Sequence, residues 1–247
     1  MTRRYFVPHL PLRGGHISLP DSEALHAIKV IRVRDGQEVE LFDGRGHQAR
    51  ARISQVGRNH CECEVEPGLE ISREPEVTID LGIALPKPER AKELIERLTE
   101  LGVRSLTPIV ADRSQRPPSD ALLDKLSRVV IEACKQSGRN QLLQIHPTQT
   151  AKHFFAHAGS ETKLIAHPSQ PSLPLRAIQR DLSVTAAIGP EGGWTEEEVT
   201  HAVDEGFKTI VLGSRVYRIE TAAVAITAVL VDPSTKWQSD VPNNGSA

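Results

Sequence analysis

At 247 residues, with 38% hydrophobic and 25% charged side chains, the chain has the composition of a soluble globular protein with room for one large domain or two smaller ones. No window approaches the roughly 18 uncharged apolar residues of a membrane helix, and Met1-Thr2-Arg3-Arg4-Tyr5-Phe6-Val7-Pro8 reads as a strand rather than a signal peptide. A net charge of −2 excludes a global pull on nucleic acid, so any RNA-binding surface must be local, and three cysteines predict reduced thiols in a cytoplasm.

The first 72 residues predict a small β-barrel-like module. A helix is expected from about Ser22 to Val30, then strands at Val39–Phe42, Ala49–Ile53 and Cys61–Val65. Asp35-Gly36, Asp43-Gly44 and Gly57-Arg58-Asn59 supply the hairpin signals between them. Between Lys29 and Arg58 seven basic residues face four acidic ones, a balance of +3. That run is either a solvated face or an RNA-binding one. Arg50 and Arg52 share a strand face by the period of two. The C-x-C pair of Cys61 and Cys63 has no second pair and reads as two buried thiols rather than a metal site.

Ser72-Arg73-Glu74-Pro75-Glu76 is a polar linker, after which strands alternate with helices. Strands are expected at Val77–Leu85, Leu106–Val110, Leu142–Ile145, Lys163–Ala166, Val184–Ile188 and Thr209–Leu212. Helices are expected at Glu89–Leu101, stopped by Gly102, and at Ser119–Ser137, burying Leu122, Leu126, Val129, Val130 and Ala133. Such alternation predicts a mostly parallel sheet covered on both faces. The domain spans 77–232, and 233–247 is a polar tail expected to fray. His153 and His157 at i, i+4 lack the glutamate of a metal-protease helix and read as a surface pair. Ser137-Gly138-Arg139-Asn140 is either a helix end alone or a contact for RNA phosphate.

Two turns carry the chemistry. Ile188-Gly189-Pro190-Glu191-Gly192-Gly193-Trp194 follows one strand, and Leu212-Gly213-Ser214-Arg215-Val216-Tyr217-Arg218-Ile219-Glu220-Thr221-Ala222 follows another. Ligands of open α/β sheets bind outside the carboxyl ends of the strands, so the pair predicts one small-molecule site built largely from backbone. Thr195 and Glu198 form a capping box for the next helix. Its run of carboxylates makes a poor phosphate cradle, which favours a cationic or zwitterionic ligand. Thr221 is expected to cap an uncharged helix over Ala222–Val231, buried on most sides.

At these residues the chain resembles the bacterial RsmE-type 16S ribosomal RNA (uracil-N3) methyltransferases of the SPOUT superfamily. The likeness extends through His26–Val33, Leu41–Gly44, Pro86–Val103, Asp112–Ser114 and Glu132–Arg139. Ser214, Tyr217, Ile219 and Lys135 depart from the family's usual Pro, Leu, Thr and Glu. The resemblance implies an N-terminal PUA-like RNA-binding β-barrel and a C-terminal α/β domain with a trefoil knot.

It also implies S-adenosylmethionine held by Ala166, His167, Ile188, Gly189, Pro190, Glu191, Gly192, Gly193, Leu212, Gly213, Ser214, Val216, Tyr217, Arg218, Thr221 and Ala222. The acidic character of Glu191 would suit the sulfonium. Arg218 is the candidate for stabilising the uridine anion, and Glu220 is a less favoured base because a carboxylate at a helix start is stabilised as an anion. The expected RNA contacts are Lys29, Arg32, Arg34, Arg50, Arg52, Arg113 and Arg139, with no metal. The expected partners are 16S ribosomal RNA in the small subunit and a second copy of the chain, paired through the last helix. The alternatives are ribose 2′-O-methylation on the same fold and a non-catalytic RNA-binding protein.

Overall fold

The computed structural model describes residues 2–114, 116–168, 172–175 and 181–232. The expected tail, 233–247, lies outside them. The chain divides into two units, Met1–Glu74 with Val130–Leu142, and Pro75–Val129 with the chain from Leu143 onward. The expected division at the 72–77 linker left residues 130–142 with the second domain, whereas they cluster with the first unit.

The first unit contains β1 (Arg3–Phe6), β2 (Gly15–Ser18), α1 (Asp21–Leu25), β3 (Glu38–Phe42), β4 (His47–Val56), β5 (Cys61–Val65) and β6 (Leu69–Glu70). Among the described residues they form one sheet in the order β1-β3-β4-β5-β2, with β6 beside β4. The helix expected over Ser22–Val30 changes pitch midway, because a π-helical turn over His26–Ile31 follows α1. Arg32 ends it with φ of 58°, the one positive-φ residue other than glycine among the described residues. Alternation holds on β4, where Ala49, Ala51 and Ile53 are buried while Arg50 and Arg52 are exposed. On β5, Cys61, Cys63 and Val65 enter the same core, and both thiols are free.

Residues 130–142 are tied to this sheet by specific polar contacts. Arg4 Nη1 donates to the Cys134 carbonyl at 2.7 Å, and Asn140 Nδ2 donates to the Ile71 carbonyl at 2.9 Å. Lys135, the departure from the resembled family, donates to the buried Glu23 at 3.2 Å. Burial pushes the Glu23 carboxyl upward, against the pull of Lys135.

The second unit contains β7 (Thr78–Ile83), α2 (Pro88–Glu100), β8 (Ser105–Val110), α3 (Asp120–Ser137, whose last turns belong to the first unit), β9 (Gln144–Ile145), β10 (Gln149–Thr150), α4 (Ala151–His157), β11 (Thr162–Ala166), β12 (Leu173–Pro174), β13 (Ser183–Ile188), α5 (Glu196–Asp204), β14 (Lys208–Val211) and α6 (Ile219–Val231). Its described strands run parallel in the order β10-β8-β7-β13-β11-β14-β12, with β9 beside β8.

Strands of this kind are buried on both faces. Val184, Ala186, Ala187 and Leu164 are fully enclosed, which explains their near-continuous apolar runs. Gly102 stops α2 with φ of +84°, and a Cβ there would fall 2.5 Å from Pro75 Cδ, so no larger residue fits. Because β13, β11 and β14 are adjacent, the turns leaving their carboxyl ends meet at one edge of the sheet.

Candidate active site

Those three turns enclose a cavity of about 280 Å³. It is lined by Ala166–Pro168, Ile188–Trp194, Ile210–Leu212, Arg215–Tyr217, Ile219 and Ala222. Its shape comes from close backbone packing. A Cβ on Gly189 would lie 2.8 Å from the Trp194 ring, and Gly193 has φ of +71°. Trp194 Nε1 donates to the Ala166 carbonyl at 3.1 Å, which fastens the turn after β13 to the end of β11.

The turn is held from below as well. Thr195 and Glu198 complete the expected capping box of α5, and Glu198 Oε1 also accepts from the Asp112 backbone N–H at 2.9 Å. Arg113 donates to the carbonyls of Gly192 at 3.1 Å and Trp194 at 3.3 Å. Expected as an RNA contact, Arg113 is thus a clamp on the glycine-rich turn.

Of the residues expected to hold the cofactor, Ala166, His167, Ile188–Gly193, Leu212, Val216, Tyr217 and Ala222 line this cavity. Gly213, Ser214, Arg218 and Thr221 do not, and all four are exposed. Pro168, Arg215 and Ile219, which adjoin the expected contacts, line it too, and Trp194, Ile210 and Val211 line it without having been assigned. The strand-end periodicity that placed the turns gives no signal for these neighbours, because their inclusion depends on how three strands sit side by side.

The second turn starts its helix earlier than expected. α6 begins at Ile219 with Arg218 at the cap position and no side-chain cap, so Thr221 lies inside the first turn and caps nothing. The Arg218 guanidinium forms no hydrogen bond or ion pair with the described residues. Glu220 instead accepts from Arg90, at 3.3 and 3.5 Å, while the same guanidinium donates to Glu191 at 2.8 Å. These two carboxylates raise the Arg90 pKa. Arg90, in the first turn of α2, was not assigned a role from the sequence, and it joins the acidic residue of one turn to that of the other. It also offsets the charge of Glu191, so that carboxylate is not a free counter-ion for a sulfonium.

The remaining basic residues divide by environment. Arg139 is 4% exposed and paired with Glu74, with Nε–Oε1 at 2.9 Å. That burial removes it from the expected RNA surface. Lys29, Arg32, Arg34 and Arg50 are exposed, and among the described residues none forms an ion pair. Arg52 lies 3.7 Å from Glu38 across the strand pair.

His153 and His157 stack at 4.1 Å on an exposed face of α4. Among the described residues no cluster of three or more His, Cys, Asp or Glu is placed to hold a metal. No helix of those residues is long and apolar enough to cross a membrane.

Comparison with known proteins gives the site its context. The RNA methyltransferase domain family matches residues 73–231, and the RNA methyltransferase PUA domain family matches residues 19–66. Ribosomal RNA small subunit methyltransferase E of Synechocystis is 30% identical over 92% of this chain and 77% of its own length. A methyltransferase of Legionella pneumophila, solved with bound SAM, superposes with a TM-score of 0.87 at 31% identity, covering 93% of this chain and 97% of that one. Ribosomal RNA small subunit methyltransferase E of Neisseria gonorrhoeae, bound to S-adenosyl methionine, gives 0.87 at 30% identity over the same shares. The chain belongs to the family of RNA methyltransferases that pair a PUA domain with a SPOUT-type α/β methyltransferase domain.

Proposed function

We propose that this protein transfers a methyl group from S-adenosylmethionine to N3 of a uridine in 16S ribosomal RNA of the small subunit. The observation that carries the reading is the cavity between the glycine-rich turn after β13 and the turn after β14, in a fold whose Legionella and Neisseria relatives are solved with that methyl donor. The small-subunit substrate is supported by the names of relatives at 25–30% identity, and the N3 position by the resemblance of the two turns.

The residues present fit the donor. Backbone of Ile188–Gly193 and Ile210–Leu212 walls a pocket with little room for side chains, while Trp194, Ile219 and Ala222 give it apolar surface. S-Adenosylmethionine supplies, when bound, a methyl group on a positively charged sulfur. Uridine N3 carries a proton at neutral pH, so the site must stabilise the anion left when that proton goes to solvent. Arg218 is assigned this role. Its exposed guanidinium is free among the described residues and stands one position before Ile219 of the cavity wall. Glu220, bonded to Arg90, is assigned to positioning rather than to proton removal.

The same reading places the protein in the cytoplasm, working as a homodimer, with a trefoil knot formed by the turns around β13 and β14. Lys29, Arg32, Arg34, Arg50 and Arg52 are assigned to RNA. Uncharged residues of α6, among them the half-buried Val224 and Ala225 and the exposed Ala228, are assigned to the partner copy.

Incubation of small ribosomal particles with labelled donor, followed by mass mapping, tests the assignment. The label is expected on a uracil base, and a label on ribose would establish 2′-O-methylation instead. Arg218→Ala is expected to bind donor normally and to lose about 2–4 kcal/mol of transition-state stabilisation. Near-normal turnover in that variant would remove Arg218 from catalysis.

A further inference from the structure

A second cavity of about 740 Å³ lies in the same unit and shares Pro190, Glu191 and Ile219 with the cofactor cavity. Its size is within the roughly 300–1,000 Å³ of small-molecule sites. The three shared residues border both cavities, so a molecule in one stands next to a molecule in the other.

The lining of this cavity is of two kinds. Ala84, Pro86, Ile109, Pro118 and Leu122 make an apolar interior, stiffened by the fixed φ of its prolines. Leu122 was expected to be buried with the rest of the apolar face of α3. It is only half-buried because it opens onto this space.

At the edge stand Lys87 and Arg116, both exposed and without an ion pair among the described residues. Glu191 is the one acidic residue among the described lining, and Arg90 offsets it at 2.8 Å. The cavity is therefore an apolar slot with a net positive rim. That chemistry suits a flat heterocycle carrying phosphates, which is how single-stranded RNA presents a splayed base.

We propose that this cavity receives the target nucleotide, its base against Leu122 and the prolines and its flanking phosphates on Lys87 and Arg116. The proposal rests on the reading of the chain as a uridine methyltransferase, and it places the acceptor beside the donor where the two cavities meet at Pro190, Glu191 and Ile219. Backbone turns hold the donor, which leaves the side chains of residues 85–88, 116–119 and 122 to recognise RNA.

Binding of a fluorescein-labelled single-stranded RNA with one uridine, measured by anisotropy with S-adenosylhomocysteine present, tests this directly. Each single-strand phosphate contact contributes about 0.7 to the slope of log affinity against log salt. The Lys87→Ala, Arg116→Ala double variant is therefore expected to lose about 1.4 of that slope and to bind RNA about tenfold more weakly at low salt. Its calorimetric affinity for S-adenosylhomocysteine is expected to be unchanged.

Leu122→Trp, which fills the slot, is expected to weaken RNA binding about tenfold with the slope unaltered. If that variant fails to fold, the double variant of exposed residues still decides the matter. Wild-type RNA affinity and slope in the double variant would overturn the proposal. A fall in its S-adenosylhomocysteine affinity would give the cavity to the cofactor and overturn it equally. Methyl transfer by the wild type is scored separately, so failure of the uridine reading with RNA binding still sensitive to Lys87 and Arg116 would be recognised as such.

Discussion

Arg90 links two turns that lie 101 and 130 residues further along the chain, through Glu191 and Glu220. The network is partly exposed, so solvent screening leaves it little weight in global stability. What it fixes is the spacing of the glycine-rich turn from the start of α6. Arg90→Gln is expected to leave the cofactor-free unfolding midpoint nearly unchanged while weakening S-adenosylhomocysteine binding about tenfold, or about 1.4 kcal/mol. Calorimetry on Arg90→Gln, Glu191→Gln and the double variant checks this, and strictly additive losses would show the contact to be idle. Tyr5 poses the opposite case. Its ring is buried, its hydroxyl has no hydrogen-bond partner among the described residues, and burial pushes the phenol up to about 12. A raised folded pKa means that stability is intact below about pH 10 and declines as the pH climbs toward 12. Tyr5→Phe removes an unsatisfied polar group and is expected to stabilise the protein by about 1–2 kcal/mol at pH 7, while flattening the alkaline decline. Urea titrations at pH 7 and pH 11 measure both effects, and a destabilised Tyr5→Phe would mean that the hydroxyl does have a partner.

Elements with strong local signals were legible in the sequence, and contacts set by distant segments were not. The capping box at Thr195 and Glu198 and the alternation of Cys61, Cys63 and Val65 each depend on residues within a few positions of one another. The start of α6 was misplaced because Thr221 looks like a cap, yet nothing local prevents the helix from extending back to Ile219. The role of Arg139 was invisible for another reason. A helix end followed by Gly-Arg-Asn looks like a surface turn, and only the return of the chain to Glu74 makes it a buried pair. The two turns around the cavity were legible but not which of their residues face it, since Trp194 lines it while Gly213, Ser214, Arg218 and Thr221 do not, and Arg90 and the half-buried Leu122 required the fold. The strand β5 yields a prediction of its own. Burial pushes the Cys63 thiol up to about 12 and raises Cys61, and the Cys134 thiol of α3 rises to about 11. These raised values keep the thiols neutral and inert. For Cys63 and Cys134 the contribution to stability is present below about pH 9 and is lost as the pH rises through 11 to 12. A thiol reagent at pH 8 is expected to label none of the three in the folded protein and all three in urea, and rapid labelling of the native protein would contradict the burial argument.

For the whole molecule the decisive property is the mismatch between a net charge of −2 and an RNA substrate. The cations available for RNA are local, because Arg139 is paired and Arg113 clamps the glycine-rich turn. A single copy thus offers Lys29, Arg32, Arg34, Arg50 and Arg52, with Lys87 and Arg116 in the other unit. Two copies joined through α6 would double that set, and binding at one would raise the effective concentration at the other. The helix is suited to such pairing: it packs on α2, β7 and β13, buries Ile219, Ala222, Ala223, Ile226, Thr227 and Leu230, and leaves Ala228 exposed on an uncharged outer face. Ala228→Asp would place a charge on that face without touching the core, and it is expected to shift light scattering from a dimer to a monomer. RNA affinity should fall by at least tenfold in the monomer, with a shallower salt dependence because fewer phosphates are engaged at once. An Arg32→Glu, Arg34→Glu variant should lose RNA affinity while remaining a dimer and binding S-adenosylhomocysteine normally. A wild-type protein that scatters as a monomer at assay concentration while methylating ribosomal RNA at full rate would overturn the pairing. Unchanged RNA affinity after the charge reversal would show that these arginines take no part.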